Sequence, residues 1–232
     1  MNYVGLDKSL DRNPHVISSM FDNVALHYNF INLIISLGKD RFWRKQTCTE
    51  VSGKISDKIL DLAAGTGVST VELAISGAWC IAADSSLNML TSNNSQQFSR
   101  LCVDAARLPF DNNIFDIVII IFGLRNITNP VTSLCEVLRV TRTGGRLVVC
   151  EFSMPEGITF AFLYKKYLFK ILPYLVRYIS NNPDAYTYLA ESIQTWPNKS
   201  SLTRHIKNAG WSNVKWRKLT GGTVAIHSAT KL

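Results

Sequence analysis

From Lys58 onward the chain repeats one unit: a short apolar run, a turn, and in most cases a longer stretch with helical spacing. The runs are "KILDLA", "WCIAAD", "RLCVDA", "FDIVIIIF" and "GRLVVCEF", beginning at Lys58, Trp79, Arg100, Phe115 and Gly145. Strands separated by helix-length stretches pair in parallel through right-handed crossovers, which restricts the chain to an α/β sheet with helices on its faces. The end of the chain breaks the repeat, because "WSNVKWRKL" and "TVAIHSATK" are joined at Gly221 and Gly222, a hairpin-like pattern. Together these elements predict a doubly wound, mostly parallel, seven-stranded sheet with an antiparallel C-terminal hairpin.

The first 57 residues follow another pattern. "MFDNVALHYNFINLIISLG" carries apolar residues at helical spacing and "KDRFWRKQ" continues it as a basic helix, so residues 1–57 read as a helical cap over the carboxyl edge of a 58–232 core. Within the core, residues 157–180 form an aromatic helical segment interrupted by Lys165, Lys166, Lys170 and Arg177, and Pro173 kinks it or ends its first half. This segment opens a helical insert at about 157–198 that faces substrate or membrane. A further helix covers "SLTRHIKNAG".

The net charge of +8 points to an anionic partner, either nucleic acid or a phospholipid surface. The five cysteines include no C-x-x-C pair and several lie in apolar runs, so they read as reduced core residues, and no metal site is expected. No secretory pattern opens the chain and no apolar run reaches the roughly 18 residues of a membrane span. The expected location is cytoplasmic, with work on the inner membrane face left open.

"ILDLAAGTGVS" reads as strand, tight turn and helix start. Gly65 and Gly67 let the backbone approach a ligand, and Asp84, closing the next strand, is placed to take both hydroxyls of a ribose. The pair implies a nucleoside-containing cofactor, for which NAD and S-adenosylmethionine both qualify. A dinucleotide fingerprint wants Gly or Ala three residues after Gly67, where this chain has Thr70, and Asp61 suits an ammonium or sulfonium better than a pyrophosphate. Just past the third strand, Asp104 can accept from an adenine amino group and the Ala105 N–H can meet the ring nitrogen. Taken alone, Asp104 is a loop cap; in register with Asp61 and Asp84 it reads as the adenine site.

These stretches resemble the bacterial C-methyltransferases that methylate demethylmenaquinone and the related ubiquinone precursor. The likeness runs from about Phe21 to the C-terminus through "FDNVALHYNFIN", "LDLAAGTG", "DAARLPFDNNIFD", "FGLRN", "LRVTRTGGRLVVCEFSMP", "YLAESIQTWPN" and "GGTVAIH". "LDLAAGTG" is common to many methyltransferases, whereas "FGLRN" together with "YLAES" and the "GG-V-A-H" pattern of "GGTVAIH" is specific. Two positions depart from the family pattern: Val68 stands where Asp often follows the GTG, and Ile121 where many members have Ser. The resemblance implies a Rossmann-like class I methyltransferase fold, S-adenosylmethionine held by Thr66, Asp84, Asp104 and Ala105, a polyprenyl quinol substrate, and no nucleic-acid partner. It also implies peripheral contact with an anionic membrane, and it leaves open whether two copies pair as a homodimer.

Transfer to a ring carbon requires an electron-rich quinol. On this reading Arg125 supplies a fixed positive charge and Asn126 an amide beside the sulfonium methyl. The plainer role for Arg125 is a clamp on a nearby Asp or Glu. For the base, the candidates are a water near Arg125, Tyr28, Asn29 and His227, although a lone His on an apolar strand is more often a core residue. The acceptor is demethylmenaquinol or a polyprenyl-methoxy-benzoquinol. An RNA methyltransferase would want an [ND]PP[FY] stretch or a nucleophilic Cys after the fourth strand, and "IFGLRN" has neither.

Overall fold

The computed structural model describes residues 17, 19, 22, 32, 33, 36–92, 98–172, 174 and 184–232. Tyr28, Asn29, Pro173 and Arg177, singled out above, lie outside these residues. The described chain forms one seven-stranded sheet: β1 (Lys58–Leu62), β2 (Trp79–Asp84), β3 (Ser99–Cys102), β4 (Phe115–Ile121), β5 (Thr141–Phe152), β6 (Ser212–Leu219) and β7 (Val224–Thr230), in the order β3-β2-β1-β4-β5-β7-β6. The first five strands run parallel, and β7 is antiparallel to both β5 and β6, as the sequence pattern predicts.

Every residue of β4 is buried, consistent with a β-branched run at the centre of a sheet covered on both faces. Alternate side chains feed two cores. Ile117, Ile119 and Ile121 join Ile59, Val148 and Cys150 in one layer, and Val118 and Ile120 join Leu60, Leu62, Leu147 and Val149 in the other. The first layer is closed by α1 (Asp40–Val51), through Trp43 and Val51, and by α2 (Val68–Ala74), through Leu73. The second is closed by α4 (Pro130–Val140) and α7 (Lys199–Asn208), through Leu134, Val137, Leu202 and Ile206. Between these lie α3 (Leu87–Thr91), α5 (Ile158–Lys166) and α6 (Asp184–Thr195).

Local signals set the helix starts. Ser86 accepts the Met89 N–H at 3.1 Å to cap α3, and Asn129 accepts the Thr132 N–H at 3.1 Å ahead of Pro130 in the first turn of α4. Asn198 accepts the Ser201 N–H at 2.9 Å, so α7 begins at Lys199, slightly ahead of the predicted "SLTRHIKNAG" helix. The aromatic segment is α-helical to Lys166 and then widens into a π-helical turn, Tyr167–Ile171. The cysteine expectation needs correction: Cys80 and Cys150 are buried, but Cys102 and Cys135 are exposed. Among the described residues no helix is long and apolar enough to cross a membrane.

Candidate active site

Strand order reverses between β1 and β4, and the crevice outside their carboxyl ends is where open α/β sheets place ligands. Both strands leave the sheet through strained backbone. Ala63 after β1 and Phe122 after β4 each have φ of 57°, a left-handed conformation that non-glycine residues rarely adopt. A Cβ on Gly123 would lie 2.3 Å from the Ala63 Cβ, so the two strand ends meet only because residue 123 has no side chain. Gly67 is constrained likewise, with φ of 74° and the Phe98 ring 2.6 Å from where its Cβ would stand.

The cleft that results is lined by Ala63, Gly65, Asp84, Asp104, Ala105 and Asn126 among others, with Ile17 reaching it from the N-terminal segment. The Asp84 carboxylate accepts the Gly65 N–H at 2.8 Å and the Ser86 N–H at 2.9 Å, tying the glycine turn to the end of β2. Burial pushes its pKa up, those N–H groups pull it back, and nearby Asp22 adds to the rise. Asp22 itself accepts from the Ser86 hydroxyl and from the Asn88 N–H at 3.3 Å, fastening the N-terminal segment over the start of α3. Asp104 accepts the Ala106 N–H at 2.9 Å while still lining the cleft, so it is a loop cap and a cleft residue at once.

The described lining carries two carboxylates and neither Lys nor Arg. A dinucleotide would bring a pyrophosphate against those carboxylates without a counter-charge. A cofactor with an adenosine and a cationic sulfonium meets the same wall favourably, so the residues present fit S-adenosylmethionine.

Asp61, Thr66, Gly67, Arg125 and His227 are not among the residues that line the cleft. Asp61 is 1% exposed and lies under the glycine turn, where its carboxylate accepts the Thr70 hydroxyl at 2.6 Å. Burial raises its pKa to about 6, against the lowering effects of Thr70 and Arg44. Thr66 is buried within the turn. Arg125 does not face the cleft. At 4% exposure its Nη1 donates to Glu151 Oε1 at 2.9 Å and to the Phe122 carbonyl, its backbone N–H donates to Glu151 Oε2 at 3.2 Å, and its guanidinium lies over the Phe152 ring. This is the clamp, the plainer of the two roles. His227 is likewise a core residue: 1% exposed, with Nε2 3.0 Å from the Lys199 carbonyl at the start of α7 and its pKa lowered by burial.

Asn126 does line the cleft, and Tyr188 on α6 donates from its hydroxyl to Asn126 Oδ1 at 3.4 Å. Glu151 and Tyr188 escaped the sequence reading. Glu151 had a signal, since a carboxylate inside "LVVCEF" must be paired if it is buried. Of the two departures from the family pattern, Val68 is exposed at the first turn of α2 and Ile121 packs into the first core layer, so neither belongs to the cleft lining.

Residues 9–231 match the ubiE/COQ5 methyltransferase family. The chain is 56% identical over 223 residues to a demethylmenaquinone methyltransferase of Mycobacterium sp. (strain JLS), covering 96% of this chain and 97% of that protein. It is also 56% identical to the protein of that name from Mycolicibacterium gilvum (strain PYR-GCK), covering 96% and 98%. In fold it is similar to a SAM-dependent methyltransferase, possible histamine N-methyltransferase, from Thermotoga maritima, with a TM-score of 0.68 at 16% identity over 93% of this chain and all of that one. A SAM-dependent methyltransferase from Aquifex aeolicus gives 0.61 at 14% identity, covering 95% and 99%.

Proposed function

We propose the function from one premise: the chain belongs to the ubiE/COQ5 methyltransferase family, and it transfers a methyl group from S-adenosylmethionine to a ring carbon of demethylmenaquinol, giving menaquinol. The observation that carries this reading is the cleft at the ends of β1 and β4, lined by Asp84, Asp104 and Asn126 and by no described cation. Bound S-adenosylmethionine would supply an electrophilic methyl, the products of its transfer being the methylated ring, a neutral thioether and the proton lost from the ring carbon.

The residues of the chain do the rest. Asp84 would take the ribose hydroxyls of the bound cofactor, and Asp104 with the Ala105 N–H its adenine. Asn126 meets a quinol oxygen and favours its ionised, electron-rich form. Holding the two reactants in line contributes up to ~7–11 kcal/mol of the barrier. With His227 in the core and Arg125 held by Glu151, we assign the ring proton to water in the cleft rather than to either side chain. Arg125 and Glu151 keep the turn rigid beneath the reacting groups.

The same reading places the enzyme at the inner face of an anionic membrane, where a polyprenyl quinol resides. α5 has no buried residue, and Ile158, Phe162 and Leu163 are 91%, 66% and 55% exposed beside the exposed Lys165, Lys166 and Lys170. Apolar side chains flanked by lysines suit the headgroup boundary of an anionic bilayer. Labelled S-adenosylmethionine, offered with demethylmenaquinol and a polyprenyl-methoxy-benzoquinol in separate liposomes, tests the choice of ring. Label in menaquinol is expected; label confined to the benzoquinol overturns that choice.

A further inference from the structure

We infer that Tyr188 is a positioning residue for the methyl acceptor and acts through Asn126, an inference that rests on the quinol reading above. The turn Leu124–Asn126 is anchored from beneath, because Glu151 on β5 holds both the backbone N–H and the guanidinium of Arg125. That anchor ends one residue short of the side chain that lines the cleft. The Asn126 amide presents a carbonyl oxygen and an NH2 of nearly equal size, and only its partners decide which of them meets a ligand. Tyr188 holds one of them: with the amide as it stands, its hydroxyl donates to Oδ1 from α6, across from the turn. At 3.4 Å the bond is long, as catalytic contacts often are before substrate tightens them.

With the carbonyl engaged, the donor end of the amide is left for the acceptor. An N–H directed at a quinol oxygen stabilises its ionised form and raises the fraction of electron-rich quinolate at a given pH. The opposite orientation would accept the quinol O–H and hold it protonated. Tyr188 thus holds the amide in the orientation that activates carbon, and it does so from the helical insert, tying that insert to the reacting turn. The charged groups nearest the turn, Arg125 and Glu151, are paired with each other. The Tyr164 phenol on α5 is pushed up by burial, with Arg125 pulling it down. Asp84 also lines the cleft with its pKa raised by burial, so its protonation is followed separately through the pH dependence of S-adenosylmethionine affinity, and the difference in acid limb between variants of unchanged affinity reads the quinol.

The test is a cycle of Tyr188→Phe, Asn126→Ala and the double variant. The readouts are methylation of demethylmenaquinol in vesicles, the pH profile of kcat, thermal stability, and S-adenosylmethionine affinity by calorimetry. Tyr188→Phe should lower kcat about tenfold, with the cofactor Kd and Tm unchanged, and should move the acid limb of kcat to higher pH. In the Asn126→Ala background the same substitution should add nothing. Wild-type kcat and pH profile in Tyr188→Phe would overturn the inference, and so would an equal loss in both backgrounds. Should Tyr188→Phe not fold, Asn126→Asp serves: it keeps an acceptor for Tyr188 but removes the donors, so kcat must still fall, and wild-type activity would overturn the inference. A wild-type enzyme that binds cofactor but leaves demethylmenaquinol unmethylated would overturn the quinol reading itself.

Discussion

Asp61 occupies a position sealed from water, and its ionised form is disfavoured there despite the Thr70 hydroxyl. Its pKa of about 6 in the folded protein stands above the ordinary value of 3.8. A carboxyl raised in this way contributes most to stability below its unfolded pKa, and that contribution is lost as pH rises from about 4 through about 6. Two pKa units correspond to about 3 kcal/mol. Asp61→Asn keeps an acceptor for Thr70, so urea unfolding should show a variant up to about 3 kcal/mol more stable at pH 7 and without the decline between pH 4 and 6. An unchanged pH dependence would contradict this account of Asp61. Gly67→Ala should do the reverse, forcing a Cβ against the Phe98 ring at a left-handed residue and costing at least about 1 kcal/mol along with cofactor affinity. At this scale Asp84, Asp104 and Ala105 were legible because a strand-end position fixes where a side chain or N–H must lie. Arg125 was left between two roles because its partner, Glu151, lies 26 residues away and no local spacing pairs them.

At the scale of elements, the end of β4 and the end of β5 are joined by a buried ion pair, Arg125 to Glu151. Removing one member leaves an uncompensated charge in the core and typically costs 3–5 kcal/mol, whereas replacing both with apolar groups is often near neutral. Arg125→Met and Glu151→Leu should each lose roughly that much stability in denaturant titrations, and the double variant should recover most of it. Additive losses would mean that the two side chains act independently. Helix starts at Ser86, Asn129 and Asn198 carry a signal in residue type that the sequence reading did not use, a short polar side chain that meets an N–H three residues on. The π-helical turn Tyr167–Ile171 had no such marker, since its residues are ordinary helix-compatible types.

For the molecule as a whole, a net charge of +8 and the exposed face of α5 combine into one expectation. The enzyme should sediment with vesicles rich in anionic lipid, weaken with added salt, and bind less when Phe162 and Leu163 are changed to Ser or Lys165 and Lys166 to Glu. Equal binding to neutral vesicles in high salt would remove the electrostatic part of this account. The parallel sheet with its antiparallel end was legible because each buried parallel strand is an apolar run and most crossovers are helix-length gaps. The meeting of Ala63 with Gly123 was not, because it depends on contact between chain segments about 60 residues apart. The most direct measurement is methyl transfer from labelled S-adenosylmethionine to reduced demethylmenaquinol in liposomes, with structured RNA as a parallel acceptor and Asn126→Ala as the variant. The account predicts label in the quinol alone, lowered at least about 100-fold in the variant while cofactor binding is retained. Label in RNA, or none in the quinol from a cofactor-loaded enzyme, would contradict it.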